Sequence, residues 1–173
     1  MLNCNHLISS FVYYFTEYRL TKKLLTTIPR LSTEWFISFD LIMFATQNYF
    51  INLIHFTIGE NNNQYGDRIP AVFQSPESRK LHFTSSIGDN RNYIFNSEEL
   101  SLNVKHHIEI DQTYYGNNIY RFNVNINGQN VLSTINSKAR QFYNVQVWAS
   151  DPWYMVLANN SPIISNLTFV NFL

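Results

Sequence analysis

Cysteine, proline and glycine are all scarce in this 173-residue chain. The one cysteine, Cys4, has no second thiol to pair with, so the chain can form no internal disulfide. Proline and glycine number five each, and no stretch rich in either divides the chain. A domain near 150 residues already buries about 68–70 % of its unfolded surface, so it needs no disulfide or metal to be stable. These scarcities indicate one domain built around a hydrophobic core.

Charge is also scarce, and it is balanced. Charged residues make up 14 % of the chain, with 12 Lys and Arg against 12 Asp and Glu, whereas an average soluble domain carries about 25 %. The only adjacent basic pairs are Lys22-Lys23 and Arg79-Lys80, too few for the basic stripe that nucleic-acid binding requires. Nucleic acid is therefore not an expected partner. A surface of neutral Asn, Ser, Thr, Gln and Tyr suits sugars or another protein.

Long hydrophobic runs are missing as well. The apolar stretch from Leu7 to Phe15 spans nine residues, which is too short to cross a bilayer. No Lys or Arg precedes it and no small-residue cleavage pattern follows, so it makes a poor signal peptide. We interpret it as an N-terminal strand or as sequence left by an incomplete gene model, and we expect no membrane insertion.

What the chain does contain is a succession of strand signals. Trp35 to Leu41 alternates strictly, which places Trp35, Ile37, Phe39 and Leu41 on one face, as a half-buried strand requires. Further strands are predicted at Asn52 to Ile58, Ile69 to Gln74, Leu81 to Ile87, Tyr93 to Phe95, Val104 to Asp111, Tyr143 to Ala149 and Ile163 to Phe172.

The clearest local signal is a hairpin. Tyr120 to Ile126 alternates, Asn127-Gly128 follows, and a second run extends from Gln129 to Asn136. Asn-Gly between alternating runs favours a type I′ turn, because both central residues need a positive φ. About ten to eleven strands without a helical period predict an all-β antiparallel sandwich or jelly roll. Phosphate-binding glycine motifs are absent.

Three stretches together resemble a known family. They are Trp35 to Asp40, Tyr65 to Phe73, and Val145 to Tyr154, the last followed by Ile164 to Leu167. They are similar to concanavalin A-like, laminin-G-like domains of animal extracellular proteins. The resemblance implies a sandwich domain over residues 20–173, an uncertain N-terminal segment over 1–19, and an extracellular or cell-surface location.

The pattern most suggestive of catalysis lies in the predicted strand from His107 to Asp111. Glu109 and Asp111 point to the same face about 7 Å apart, but concanavalin A-like glucanases use three alternating acids, and Gln112, Thr113 and Tyr114 supply none. We interpret the two acids as the solvent face of a strand and predict no catalytic residue. His106 and His107 point to opposite faces and cannot share a metal.

Calcium is the one cofactor that the sequence raises, because laminin-G-like domains often hold it at the sandwich rim. Asn61, Asn63, Asp67 and Asp89 offer oxygen ligands of the kind calcium prefers. The competing interpretation is structural, with Asp67 capping a turn or pairing with Arg68. In the same way, Asp151 would close an Asx-turn before a proline.

Aromatic residues beside asparagine supply the expected ligand surface. Tyr114, Tyr115 and Asn117 lie in one predicted loop, and Trp153 and Tyr154 in another. Each ring offers an apolar face and a polar edge, against which a sugar ring can stack. The alternative for Trp153 is that it closes one end of the core.

The sequence therefore predicts a non-catalytic extracellular recognition module. It would bind a glycan or an extracellular protein partner through rim loops. Two alternatives remain open: a structural or adhesion spacer of a larger multidomain protein, and a degenerate glycoside hydrolase that has lost its third acid.

Overall fold

The computed structural model describes residues 8–12, 18–155 and 160–172. Within these residues the chain forms thirteen β-strands and no helix. Cys4 lies outside them, as do Leu7 and residues 13–15 of the N-terminal apolar stretch and the middle of the loop that follows Tyr154. No helix of the described part is long and apolar enough to cross a membrane.

The strands pair into two antiparallel sheets. Their bounds are β1 Ile8–Val12, β2 Tyr18–Arg19, β3 Lys23–Leu31, β4 Glu34–Ile42, β5 Ile51–Thr57, β6 Ala71–Gln74, β7 Leu81–Ile87, β8 Asn90–Asn96, β9 Lys105–Gly116, β10 Ile119–Ile126, β11 Gln129–Asn136, β12 Phe142–Ala149 and β13 Ile163–Phe172. A seven-stranded sheet runs β1-β13-β4-β9-β10-β11, with β2 also on β13, and a six-stranded sheet runs β3-β12-β5-β6-β7-β8. The predicted all-β sandwich is confirmed.

The core lies between the two sheets and follows from the alternation of the strands. In β4, the side chains of Trp35, Ile37, Phe39 and Leu41 are all buried, as predicted. Phe56 of the six-stranded sheet packs on Phe169 of the seven-stranded sheet, with ring centroids 5.5 Å apart. Apolar burial at alternate positions leaves the other positions of the seven-stranded sheet on its outward face.

The predicted hairpin is formed by β10 and β11. Asn127 and Gly128 both have positive φ, 54° and 77°, as a type I′ turn requires. Phe122, Val124 and Ile126 are buried, so the Asn residues between them face outward.

One long strand, β3, was not predicted. Its apolar residues do not alternate, and it contains Pro29, which removes a ladder hydrogen bond. The structure accommodates the proline because β3 is the edge of its sheet, where proline is tolerated. Strand pairing also begins before Leu20, because Ile8–Val12 is hydrogen-bonded to β13.

Strand β9 is longer than predicted. It runs to Gly116 because Thr113 and Tyr114 continue the pairing with β10. The predicted loop from Asp111 to Asn118 is therefore mostly strand, with a tight turn at Asn117 and Asn118, which both have positive φ.

Candidate functional site

The outward face of the seven-stranded sheet contains a polar groove of about 440 Å³. Its walls come from three neighbouring strands, β9, β10 and β11. We call it the sheet groove. It is lined by Asp111, Thr113, Tyr114, Tyr115, Arg121, Asn123, Asn125, Asn130 and Ser133.

Strand alternation and register bring these side chains together. Ile108 and Ile110 are buried, so Glu109 and Asp111 point away from the core. In the register of β9 and β10, Asp111 lies opposite Asn123, and Glu109 lies opposite Asn125. Each acid is thereby placed beside an amide on the next strand, within reach of a cross-strand hydrogen bond.

The amides form a hydrogen-bonded series across the sheet. Asn123 Nδ2 donates to Asp111 Oδ2 at 2.8 Å, and Asn125 Nδ2 donates to Glu109 Oε2 at 3.2 Å. Asn130 Nδ2 then donates to Asn125 Oδ1 at 2.9 Å. These bonds hold the polar side chains of the sheet groove in fixed orientations.

Burial makes Asp111 resist ionisation. Burial raises the pKa of this carboxyl above its ordinary value, and the charge of nearby Glu109 raises it further. The hydrogen bonds from Asn123 and Thr113 lower the pKa but do not cancel the effect of burial. A hydroxyl group of a ligand that donates to Asp111 would replace part of the lost hydration.

Another acid, Asp40 of β4, lies near Glu109 on the same outward face. Asp40 Oδ1 is 2.8 Å from His107 Nδ1, and Asp40 Oδ2 accepts from Asn166 Nδ2 at 2.8 Å. His107 Nε2 is 3.6 Å from Glu109 Oε1, so the imidazole lies between two carboxylates. Burial alone would raise the pKa of Asp40, but the hydrogen bonds from His107 and Asn166 outweigh burial and lower it.

The other end of the sheet groove is aromatic and cationic. Tyr114 and Tyr115 are 53 % and 60 % exposed. The Arg121 guanidinium carbon lies over the Tyr115 ring, 4.0 Å from its centroid. Tyr114 packs edge-on against Tyr120, with centroids 5.5 Å apart. The two exposed rings are therefore fixed in place by neighbours on β10.

The five predicted ligand-binding residues do not form one surface. Tyr114 and Tyr115 line the sheet groove, while Asn117 is exposed in the turn beyond them. Trp153 packs on His55 with centroids 5.4 Å apart, and Tyr154 packs edge-on against Phe73 at 4.9 Å.

These contacts place Trp153 and Tyr154 on the opposite side of the sandwich. His55 and Phe73 belong to β5 and β6 of the six-stranded sheet and point away from the core, since Phe56 and Val72 beside them point into it. A single aromatic platform is therefore corrected to two separate regions, because the sandwich core lies between them.

The Trp153 region is held together by a buried, hydrogen-bonded pair, His55 and Asp151. His55 Nδ1 lies 2.7 Å from Asp151 Oδ2, and His55 Nε2 lies 2.6 Å from the carbonyl oxygen of Asp67. Asp151 Oδ1 also accepts from the backbone N–H groups of Trp153 and Tyr154, at 3.1 Å each. Asp151 therefore closes the Asx-turn that the sequence predicted, and His55 is a buried, hydrogen-bonded residue of the sheet.

The predicted calcium ligands are largely occupied by protein groups. The Arg68 guanidinium donates to both the carbonyl and the side-chain oxygen of Asn61. Asp67 Oδ2 accepts from the backbone N–H groups of Asn63 and Gln64. The fourth residue, Asp89, is bonded to Lys138.

As placed, these four residues do not fit calcium as a set, because three of them, Asn61, Asn63 and Asp89, accept hydrogen bonds from cationic side chains. Asp67 Oδ1 and Asn62 Oδ1 are buried without a donor in the described part of the chain. Those two acceptors are groups that a cation or a water molecule would satisfy. Within the same described ranges, no cluster of three or more His, Cys, Asp and Glu side chains is arranged for a metal.

Sequence reasoning did not assign a site role to most of the sheet groove, notably Arg121, Asn123, Asn125, Asn130 and Ser133. The available signal was the alternation of β10, which places two Asn residues on the outward face. The register between β9 and β10 was the missing information.

Known proteins resemble this chain in structure. No protein-family model and no curated protein sequence matches it. The receptor-binding domain of botulinum neurotoxin D superposes with a TM-score of 0.62 at 12 % identity, covering 98 % of this chain and 45 % of the toxin chain. An endo-β-1,4-glucuronan lyase from Trichoderma reesei superposes with a TM-score of 0.57 at 11 % identity, covering 98 % of this chain and 89 % of the lyase chain.

A sialidase from Trypanosoma rangeli superposes with a TM-score of 0.56 at 9 % identity, covering 81 % of this chain and 21 % of the sialidase. This chain thus spans less than half of the sialidase and toxin chains. At these identities the likeness concerns the fold. The chain folds as a jelly-roll β-sandwich, in agreement with the concanavalin A-like architecture expected from its sequence.

Proposed function

We propose that this chain is a non-catalytic carbohydrate-binding module, of the laminin-G-like kind and extracellular, whose ligand lies in the sheet groove. The observation that carries the proposal is the combination, in one groove, of ordered amides and the Asp111 carboxylate with the exposed ring of Tyr115. The predicted rim-loop location is replaced by the face of the seven-stranded sheet.

The chemistry of the sheet groove suits a sugar. A sugar presents many hydroxyl groups, each of which both donates and accepts hydrogen bonds. Asn side chains offer both roles side by side, and carboxylates such as Asp111 accept strongly. The Tyr115 ring provides an apolar face at the end of the groove. Fixed orientations reduce the side-chain entropy that binding would otherwise cost.

A second cavity, of about 500 Å³, lies at the margin where β8 and β11 face each other. Part of its wall consists of Phe95, Leu100, Ile126 and Val131, side chains that belong to the core or pack against it. This composition is typical of the open edge of a sandwich, so we favour the sheet groove as the ligand site.

The names of two structural neighbours support carbohydrate as the ligand class. One is a sialidase and the other a glucuronan lyase. Their low identity to this chain transfers no residue role. Both names describe proteins that act on carbohydrates, and the sheet groove supplies the independent chemical reason here.

The proposal of a non-catalytic module rests on the acids themselves. The outward positions of β9 after Asp111 are Thr113 and Tyr115, so the strand presents two acids and not three. Both acids are hydrogen-bonded to amides of β10. We propose that they orient a ligand and transfer no proton to it.

A glycan array on the purified domain tests the proposal, using a matched pair of tyrosine variants. Tyr115 and Tyr143 are both 60 % exposed, but Tyr143 lies on β12 of the other sheet. We expect saturable binding to one sugar class, at least tenfold weaker in Tyr115→Ala, from the loss of an aromatic contact and the support of Arg121. Tyr143→Ala should bind like the parent.

A blank array for the parent protein would refute the proposal and favour the spacer alternative. Equal losses in the two tyrosine variants would show that the sheet groove is not the site. Release of reducing ends from a bound glycan, abolished in Glu109→Gln, would show instead that the chain is a hydrolase.

A further inference from the structure

The sheet groove contains a cation, Arg121, that no group in the described part of the chain neutralises. Arg121 is half-buried, and in the described part of the chain it makes no ion pair and no side-chain hydrogen bond. Its contact is with the Tyr115 ring, at 4.0 Å. Partly buried arginines are ordinarily paired, so this one is available to a ligand.

Arg68 shows what a structural arginine looks like in the same protein. Its guanidinium donates to Asn61, to Asn92 Oδ1 and to the Tyr154 hydroxyl, at 3.0–3.2 Å. The face of its guanidinium also lies over Phe73. The donors of Arg68 are therefore used in hydrogen bonds within the protein, whereas the N–H groups of Arg121 have no acceptor in the described part of the chain.

Stacking on Tyr115 prepares the Arg121 guanidinium for one class of partner. A guanidinium that uses its flat face on an aromatic ring keeps the N–H groups at its edge, in the plane of the group. Two of these N–H groups form a fork that matches the two oxygens of a carboxylate. The ring also limits the side-chain motion that such binding would have to freeze.

The charges of the sheet groove are separated along it. In the register of β9 and β10, Arg121 lies opposite Thr113. The next outward-facing pair along the two strands is Asn123 and Asp111. Such diagonal neighbours lie about 7–8 Å apart. The cation and the acids thus occupy different ends of the groove, with Asn123 beside Arg121 on the same face of β10.

We propose that the ligand of the sheet groove is an acidic saccharide, whose carboxylate is bound by Arg121 while its hydroxyls contact Asn123 and Asp111. This inference rests on the proposed function and names the ligand class of the same site. The carboxylate of the sugar neutralises the free guanidinium. Burial raises the pKa of Asp111 above its ordinary value, so this carboxyl is less readily ionised and repels a second carboxylate less.

Calorimetric titration with a charged sugar and its neutral counterpart tests the assignment. The probes are a short oligogalacturonate and its methyl ester, which share one backbone and differ in charge. We expect the acid to bind about 10- to 100-fold more tightly than the ester, the range that a charge-assisted pair contributes. In Arg121→Gln the two affinities should agree within about twofold.

The chain offers a matched control for that substitution. Arg140 also lies over a tyrosine ring, that of Tyr65, at 3.9 Å, but it is exposed and lies outside the sheet groove. Arg140→Gln should keep the preference of the parent for the acid. Arg121→Lys should keep part of it, because lysine supplies charge without the fork. Circular dichroism verifies that each variant is folded.

Three results would overturn the assignment while leaving carbohydrate binding intact. They are equal binding of acid and ester, an unchanged preference in Arg121→Gln, and binding of other array glycans but of neither galacturonate probe. A sulfated galactan that binds more tightly than the oligogalacturonate would overturn the choice of carboxylate over sulfate. A blank array together with no binding of either probe would remove both proposals.

Discussion

At the residue scale, two aspartates on the outward face of the seven-stranded sheet, Asp111 and Asp40, behave in opposite ways. Asp111 is partly buried, and its hydrogen bonds from Asn123 and Thr113 only partly replace its lost hydration, so its pKa rises. Asp40 receives hydrogen bonds from His107 and Asn166, and its pKa falls. The same residue type therefore opposes folding at one position and supports it at the other.

Asp111→Asn should increase the free energy of unfolding at pH 7. A carboxyl with a raised folded-state pKa binds its proton more tightly when folded, so its ionisation at neutral pH opposes folding. The amide removes that penalty and can still accept from Asn123. The gain should disappear as the pH falls through the raised pKa toward the ordinary value of 3.8. Urea titrations at pH 7 and pH 3 measure it, and a loss of stability at pH 7 would contradict it.

The same substitution should weaken glycan binding, because an amide accepts less strongly than a carboxylate. More stability with less binding is the combination expected of a binding residue. A variant that gains stability and binds normally would exclude Asp111 from the ligand site.

Asp40→Asn should lower the free energy of unfolding at pH 7. The depressed pKa of Asp40 stabilises the fold above the ordinary value of 3.8, and this contribution is lost as the pH falls through the folded-state pKa. Parent and variant should therefore converge in acid. Urea unfolding across pH 7 to 2 measures the difference, and a constant gap at all pH values would assign the effect to packing.

At the scale of elements, hydrogen bonds from single side chains anchor the irregular segments to the strands. Asp151 joins the turn after β12 to His55 of β5, and both side chains are fully buried. His55 in turn contacts the loop before β6 through the carbonyl oxygen of Asp67. One pair therefore positions two loops on the outward face of the six-stranded sheet.

Asp151→Ala should cost about 3–5 kcal/mol of unfolding free energy, because it leaves His55 buried without its partner. Chemical denaturation measures the loss. Asp89→Ala is the control, since Asp89 is exposed and bonded to a lysine at the surface, where substitutions change stability by about 0.5 kcal/mol or less. Equal effects of the two substitutions would show that the buried pair is not a stabilising anchor.

The hairpin of β10 and β11 depends on a glycine. Gly128 has φ of 77°, and a Cβ placed there would meet no other atom. Gly128→Ala should therefore cost about 1–2 kcal/mol from backbone strain alone. Thermal unfolding measures it, with Ser133→Ala on β11 as a control that leaves the turn unchanged. A cost below that of the control would mean that the turn relaxes to another type.

At the scale of the whole molecule, the sandwich core separates the proposed ligand site from the buried pair of His55 and Asp151. The sheet groove lies on the outward face of the seven-stranded sheet, and Trp153 packs on the outward face of the six-stranded one. The core between them makes the two regions independent, since distant sites without shared contacts rarely couple.

Trp153→Ala should therefore reduce stability but leave glycan affinity unchanged. The ring covers His55 of the buried pair, and its loss should cost about 1–3 kcal/mol. Denaturation and calorimetric titration on the same sample measure the two effects. Weaker binding by a fully folded variant would return Trp153 to the ligand surface, where the sequence had placed it.

Local patterns were enough to predict most of the architecture. Alternation identified β4, and Asn127-Gly128 identified the hairpin, because the period of two and the positive φ are properties of short segments. Segments without a local signature were missed, and β3 with Pro29 is the clearest example. The end of β9 was missed because its pairing with β10 extends it.

By itself, the sequence determined the fold class, the buried faces of the strands, the Asx-turn at Asp151 and the presence of tyrosines beside polar residues. Only the tertiary structure decided that Tyr115 meets Arg121 and Asp111 meets Asn123, while Trp153 lies on the other side of the molecule. Strand neighbours and register are set by hydrogen bonds and core packing between residues far apart in the chain. The pattern within each segment indicates which side chains of a strand share a face. It does not indicate which strands are neighbours or which residues lie opposite each other.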